Sequence, residues 1–158
     1  MSRESKVNMK RVVRRSTDVL ADERLPHEKT IETDRWTEIL FRALSNRVAK
    51  RWRFVSFRGQ KKREFCGIVD VVAIRKDTSK SDHEILRMGD LFEIVLVQMK
   101  GGSARRPTEG DIERLRSVAE RYHAKKVILF EWKRGEGCGF FVLDGDRWRP
   151  STALEIFG

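Results

Sequence analysis

The chain has 158 residues, with four Trp and nine Phe in a hydrophobic content of 39%, enough to close one core and too little for two comfortable ones. Its 37% of charged residues leave a formal net charge of +10, which favours a polyanionic partner, nucleic acid ahead of an anionic membrane. Cys66 and Cys138 lie far apart and the three His are scattered, which excludes a disulfide framework and a zinc site; with no apolar run near the length of a membrane span and no signal peptide, a soluble, cytoplasmic protein with no membrane partner is expected.

Residues 1–25 read as a flexible basic arm carrying Arg3, Lys6, Lys10, Arg11, Arg14 and Arg15, either a phosphate-binding tail or a solubilising end. Residues 26–158 read as a single domain. Pro26 can open a helix at no hydrogen-bonding cost. Ile31, Trp36, Ile39, Leu40, Ala43, Leu44 and Val48 then recur at helical spacing and predict an amphipathic helix over about 27–50. Trp52, Phe54, Val55 and Phe57 suggest a strand that runs into the basic stretch Arg58, Lys61, Lys62 and Arg63. That stretch could follow a phosphate backbone or simply be a solvated hairpin tip.

A second strand is expected over about 66–75 and a third over 91–100, separated by a polar connection without structural period. Gly101 and Gly102 turn the chain toward Arg105, Arg106 and a second helix, where Thr108 and Asp111 match a capping box. The two arginines are natural phosphate contacts, although ordinary loop arginines would look the same. Ile112, Leu115, Val118, Ala119 and Tyr122 give the helix one apolar stripe. Strands are expected at 127–132 and 138–143, the latter pairing back, and Trp148–Phe157 reads as a short helix or an extended cap. A strand, a helix and a strand in succession imply a parallel pair, so the prediction is an α/β fold with helices flanking a mixed central sheet.

Three polar residues interrupt or end the apolar strands: Asp70, Gln98 and Lys100. Such groups cost free energy in a core unless something binds them. Gln98 and Lys100 are two apart and share a strand face. If the second and third strands are neighbours, Asp70 reaches the same end of the sheet. A carboxylate and an amide oxygen suit a hard cation such as Mg²⁺, which keeps waters for a substrate phosphate. A lysine beside them can position or deprotonate an attacking water and offset developing charge. The set suits phosphodiester hydrolysis. Taken singly, Asp70 could instead cap a turn, and Gln98 and Lys100 could mark a strand reaching solvent.

The run Gly67-Ile68-Val69-Asp70-Val71-Val72-Ala73 followed by Gln98-Met99-Lys100 resembles the signature of the PD-(D/E)XK nuclease superfamily, in a QxK variant similar to the Mrr-like restriction endonucleases and archaeal Holliday-junction resolvases. The resemblance implies a restriction-endonuclease-like three-layer α/β/α sandwich in α-β-β-β-α-β order. It also implies a Mg²⁺-dependent endodeoxyribonuclease, with Mn²⁺ as a substitute cofactor. Asp70 would be the central ligand and Gln98 the second, with the Met99 backbone carbonyl a further ligand and Lys100 the catalytic lysine. An acid from the first helix would complete the set, and Glu32 is favoured over Glu38 because it sits at the edge of the apolar stripe. Gln98 departs from the acid usual at its position and should weaken metal binding. The partner implied is nucleic acid, DNA before RNA, and enzymes that cut both strands are often homodimers. A second reading, favoured by Gln98, is a nuclease-fold nucleic-acid-binding protein that does not cut. A third is a structural or partner-binding domain.

Overall fold

The computed structural model of the protein describes residues 26–58, 67–79 and 84–158. The basic arm, Lys61, Lys62, Arg63 and Cys66 lie outside the described residues. In chain order the elements are α1 (Pro26–Asn46), β1 (Arg53–Ser56), β2 (Val71–Lys76), β3 (Phe92–Gly101), α2 (Glu109–Arg121), β4 (Lys126–Lys133), β5 (Gly137–Asp144), β6 (Arg147–Ser151) and α3 (Ala153–Phe157). One sheet holds the strands in the order β1-β2-β3-β4-β5-β6. Every pairing is antiparallel except β3 with β4, the pair that α2 separates in sequence. The α/β class, the mixed sheet and the α-β-β-β-α-β order agree with expectation. No helix among the described residues is long and apolar enough to cross a membrane.

Strand alternation divides β3 between two layers. Val95, Val97 and Met99 enter a core shared with Phe41 of α1 and Ile156 and Phe157 of α3. Leu96 enters the opposite core with Leu115 of α2 and Val127 of β4. Phe41 is fully buried, its ring 5.4 Å from Phe54 and 5.5 Å from Phe130. Phe157 stands edge-on to Phe54 and Trp52, at 5.2 and 5.5 Å. The short α3 thereby closes the first core, and its start is fixed by a capping box between Thr152 and Glu155.

The buried face of α1 differs from the predicted stripe. Ile31, Trp36 and Ile39 are exposed, whereas Thr37, Phe41 and Ser45 are fully buried. Thr37 can be buried because its hydroxyl donates to the Thr33 carbonyl at 2.7 Å, satisfying itself within the helix. It packs on Gly101, where a Cβ would overlap its Oγ1. Thr33 and Thr37 against a glycine bring α1 close to the end of β3, a fit that counting apolar residues does not reveal. Gly101→Ala is expected to destabilise the protein by about 1–3 kcal/mol in urea unfolding. Adding Thr37→Ala should recover part of that loss.

β6 also escaped prediction, since Pro150 and three charged or polar neighbours hide it. It is an edge strand, the one place where a proline costs the ladder little.

At the end of β3 remote from Gln98, Glu93 accepts from Arg75 Nε at 2.6 Å and Lys125 Nζ at 2.6 Å. Burial opposes the charge on Glu93, but the bonds from Lys125 and Arg75 hold its carboxyl below the ordinary range. Asp77 is lowered to about 2, chiefly by hydrogen bonds from the Ser79 side chain and backbone, with Lys125 adding to them. A carboxylate depressed in the folded state stabilises fully above its ordinary value of 3.8 and ceases to do so as pH falls through about 2. Unfolding followed by Trp fluorescence between pH 5 and 2 should show this acid loss, and Ser79→Ala should shrink it.

Candidate active site

The site forms where β2 and β3 part. Their last paired residues on this side are Val71 and Val97, and one further link runs from the Asp70 N–H to the Val97 carbonyl at 2.9 Å. β2 therefore begins at Val71, five residues later than the predicted start at Cys66. Beyond that point β3 continues alone on its β2 side. In an antiparallel pair, a residue's N–H and C=O point to the same neighbour, so Met99 presents both groups to the gap. Asp70 fills it: its Oδ2 accepts the Met99 N–H at 2.6 Å. Asp70 thus does cap a strand end, and one of its oxygens is left facing outward.

Arg58 takes that oxygen. It lies two residues past the end of β1, and the Phe57 N–H donates to the Asp70 carbonyl at 2.9 Å, which sets the Arg58 backbone beside the gap. Its Nε donates to Asp70 Oδ1 at 3.1 Å, Nη2 to the Met99 carbonyl at 3.1 Å and Nη1 to the Asp34 carbonyl of α1 at 3.0 Å. The pair is largely enclosed, with side-chain exposures of 20% for Arg58 and 23% for Asp70. Read from the sequence as a phosphate contact, Arg58 instead spans three elements across the candidate site. Nothing local in the sequence signals this, because its partners lie up to 41 residues away.

Gln98 and Lys100 flank Met99 and project to the α2 side of the sheet, the side of Leu96. Gln98 is 5% exposed, and its Oε1 is buried with no hydrogen-bond partner among the described residues. An orphaned buried oxygen costs about 1–3 kcal/mol, so it is the atom here that asks for a cation or an ordered water. Lys100 lies opposite Glu131 of β4 in the ladder. Its positive charge also reaches Asp111, whose carboxyl is held low first by the Thr108 backbone and side chain, then by Lys100 and Arg114.

Glu131 is a buried acid that the sequence reading passed over, although it interrupts an apolar strand as Gln98 does. It is 7% exposed and accepts both Nε and Nη2 of Arg106, at 2.9 and 2.7 Å. The Arg106 guanidinium also lies over the Phe141 ring, 4.3 Å from its centroid. Arg106, expected to reach phosphate, therefore already has an internal partner, although it and Arg105 are both exposed on this turn.

The first helix reaches the site through Asp34, whose carbonyl receives Arg58. Glu32 is two positions earlier, about 200° around the helix axis from Asp34. Glu38 accepts Arg42 Nε at 3.0 Å, and Arg42 also donates to the Phe54 carbonyl at 3.4 Å. No group of three or more His, Cys, Asp or Glu side chains able to hold a metal occurs among the described residues. The donors that do fit a hard cation are oxygens of mixed kind: the Asp70 carboxylate, the Met99 carbonyl and the orphaned Gln98 amide oxygen.

No protein-family model matches the chain, and no curated protein is similar to it in sequence. Among solved structures it is similar to Hjc, a Holliday junction resolvase from Archaeoglobus fulgidus, at a TM-score of 0.43 and 12% identity, over 81% of this chain and 99% of that one.

Proposed function

We propose that this protein is a metal-dependent endonuclease acting on DNA. The observation that carries the reading is the Asp70 carboxylate seated on the Met99 backbone where β2 ends, with the buried oxygen of Gln98, the residue before Met99 in β3, lacking a partner. Asp70 Oδ1, the Met99 carbonyl and Gln98 Oε1 would hold Mg²⁺, or Mn²⁺ in its stead. Bound there, the ion would polarise a phosphate oxygen and make a coordinated water more acidic. With one carboxylate in the set, substrate phosphate and water would supply the remaining ligands, the usual arrangement for Mg²⁺.

Lys100 would orient the attacking water, and its charge would offset the negative charge that grows on the phosphate. Glu131 would hold the Arg106 guanidinium by its two hydrogen bonds, leaving Lys100 as the cation that β3 itself supplies. From α1, an acid would complete the set, with Glu32 favoured over Glu38. The net charge of +10 supports a nucleic-acid substrate, and the exposed Arg105, with Lys61, Lys62 and Arg63, would contact its backbone. A homodimer would allow both strands to be cut.

The test is a cleavage panel of supercoiled plasmid, linear duplex, four-way junction, single strand and RNA, with Mg²⁺ and with Mn²⁺. Cleavage of at least one DNA substrate, abolished by chelation, is expected. A second reading, a nuclease-fold protein that binds DNA without cutting, draws on Arg58 lying across the donor set and on Gln98 standing for an acid. Salt-sensitive DNA affinity with no cleavage anywhere in the panel would select it.

A further inference from the structure

Arg58 is bonded to the same atoms that the proposed metal would use. Asp70 has two carboxylate oxygens: Oδ2 is committed to the Met99 N–H, and Oδ1 is taken by Arg58 Nε. The Met99 carbonyl, the other outward oxygen of the gap, is taken by Arg58 Nη2. We propose that Arg58 is a built-in competitor of the divalent cation, so that loading the site requires the guanidinium to leave Asp70 Oδ1 and the Met99 carbonyl. The inference rests on the metal-binding reading above.

Three features make the competition physical. A guanidinium binds through a planar fork of N–H groups, and here the fork spans a carboxylate and two carbonyls from different elements. Its contacts therefore depend on β2, β3 and α1 being as they are. Second, a divalent ion and a guanidinium drawing on one carboxylate oxygen would be like charges only a few ångströms apart in a largely enclosed corner, where screening by solvent is weak. Third, Arg58 can leave without unravelling the sheet. Its own N–H is tied to Ser56 Oγ at 3.3 Å and its neighbour Phe57 to the Asp70 carbonyl at 2.9 Å. Rotation of the side chain alone would uncover the oxygens.

The competition has a simple electrostatic sense. The site has one carboxylate, which the guanidinium neutralises in the metal-free protein. An entering ion replaces that cation and frees it at the rim, with no net change in the number of cations the carboxylate faces. Metal affinity is then set by the difference between two cations, and Gln98 would favour the metal only through the dipole of its unpartnered amide oxygen, since it adds no charge.

The experiment is calorimetric titration of Mn²⁺ into the full chain, as wild type, Arg58→Gln, Arg58→Lys, Asp70→Asn and the Arg58→Gln/Asp70→Asn double variant. Arg58→Gln is expected to bind Mn²⁺ about tenfold more tightly than wild type or better, from the loss of charge-assisted bonds that the metal must otherwise break. The gain should vanish in the double variant. Arg58→Lys keeps the charge but cannot span three acceptors, so it should fall between the two, and it carries the test if Arg58→Gln does not fold. Melting temperature without metal should drop in Arg58→Gln and recover with Mn²⁺ by more than wild type gains. Equal or weaker Mn²⁺ affinity in Arg58→Gln, with binding still dependent on Asp70, would overturn the competition and leave the metal site standing. Absence of Asp70-dependent binding in every protein would overturn both.

Discussion

Asp70→Asn is expected to lower DNA cleavage by at least about 10³-fold, the equivalent of about 4 kcal/mol of transition-state stabilisation by the metal, and to remove Mn²⁺ binding while the protein stays folded. Asparagine is the informative replacement. Its amide oxygen can still accept the Met99 N–H that Asp70 accepts at 2.6 Å, so the end of β3 keeps its cap. Its NH₂ then faces Arg58 Nε, donor against donor, and the outward carboxylate charge is gone. Alanine would also strand the Met99 N–H, at a cost of about 1–3 kcal/mol, and would mix a folding defect with the loss of the site. Far-UV circular dichroism and single-turnover cleavage on the same preparation separate the two. Cleavage within tenfold of wild type would remove Asp70 from the mechanism.

Lys100→Met should lower the single-turnover cleavage rate by about 10²–10⁴-fold while leaving Mn²⁺ affinity close to wild type. Methionine keeps the length and apolar stem of lysine without the charge. Lys100 is not among the oxygen donors, so binding and chemistry should part in this variant, whereas Asp70→Asn loses both. The same substitution removes a positive charge that helps hold the Asp111 carboxyl low. That effect is small, because Thr108 supplies the larger share and the capping box stays intact. A Lys100→Met protein that cleaves as fast as wild type would leave the strand-end lysine without a chemical role.

Where signals were local, the fold was readable in the sequence. α2 starts at the capping box that Thr108 and Asp111 announce. β3 and β4 come within a residue of their expected spans because each is a short, β-branched apolar run. Strand parity likewise puts Gln98 and Lys100 on one face whatever the rest of the fold does. Long-range choices were not readable. The buried stripe of α1 passes through Thr37 because Gly101 allows close approach, a match between residues far apart in sequence. Arg58 looked like part of a basic loop and instead spans Asp34, Asp70 and Met99. Glu131 carried the same signature as Gln98, a polar residue inside an apolar strand, and its pairing with Arg106 gives that signature a structural origin.

The most direct test of the account is the position of bound Mn²⁺ by anomalous scattering in crystals of the Arg58→Gln protein, where the competing cation is absent. The account predicts a peak within direct coordination reach of both Asp70 Oδ1 and the Met99 carbonyl oxygen, with the Gln98 amide oxygen turned toward it. A saturating soak with no peak at this corner, or with the ion held elsewhere, would contradict it.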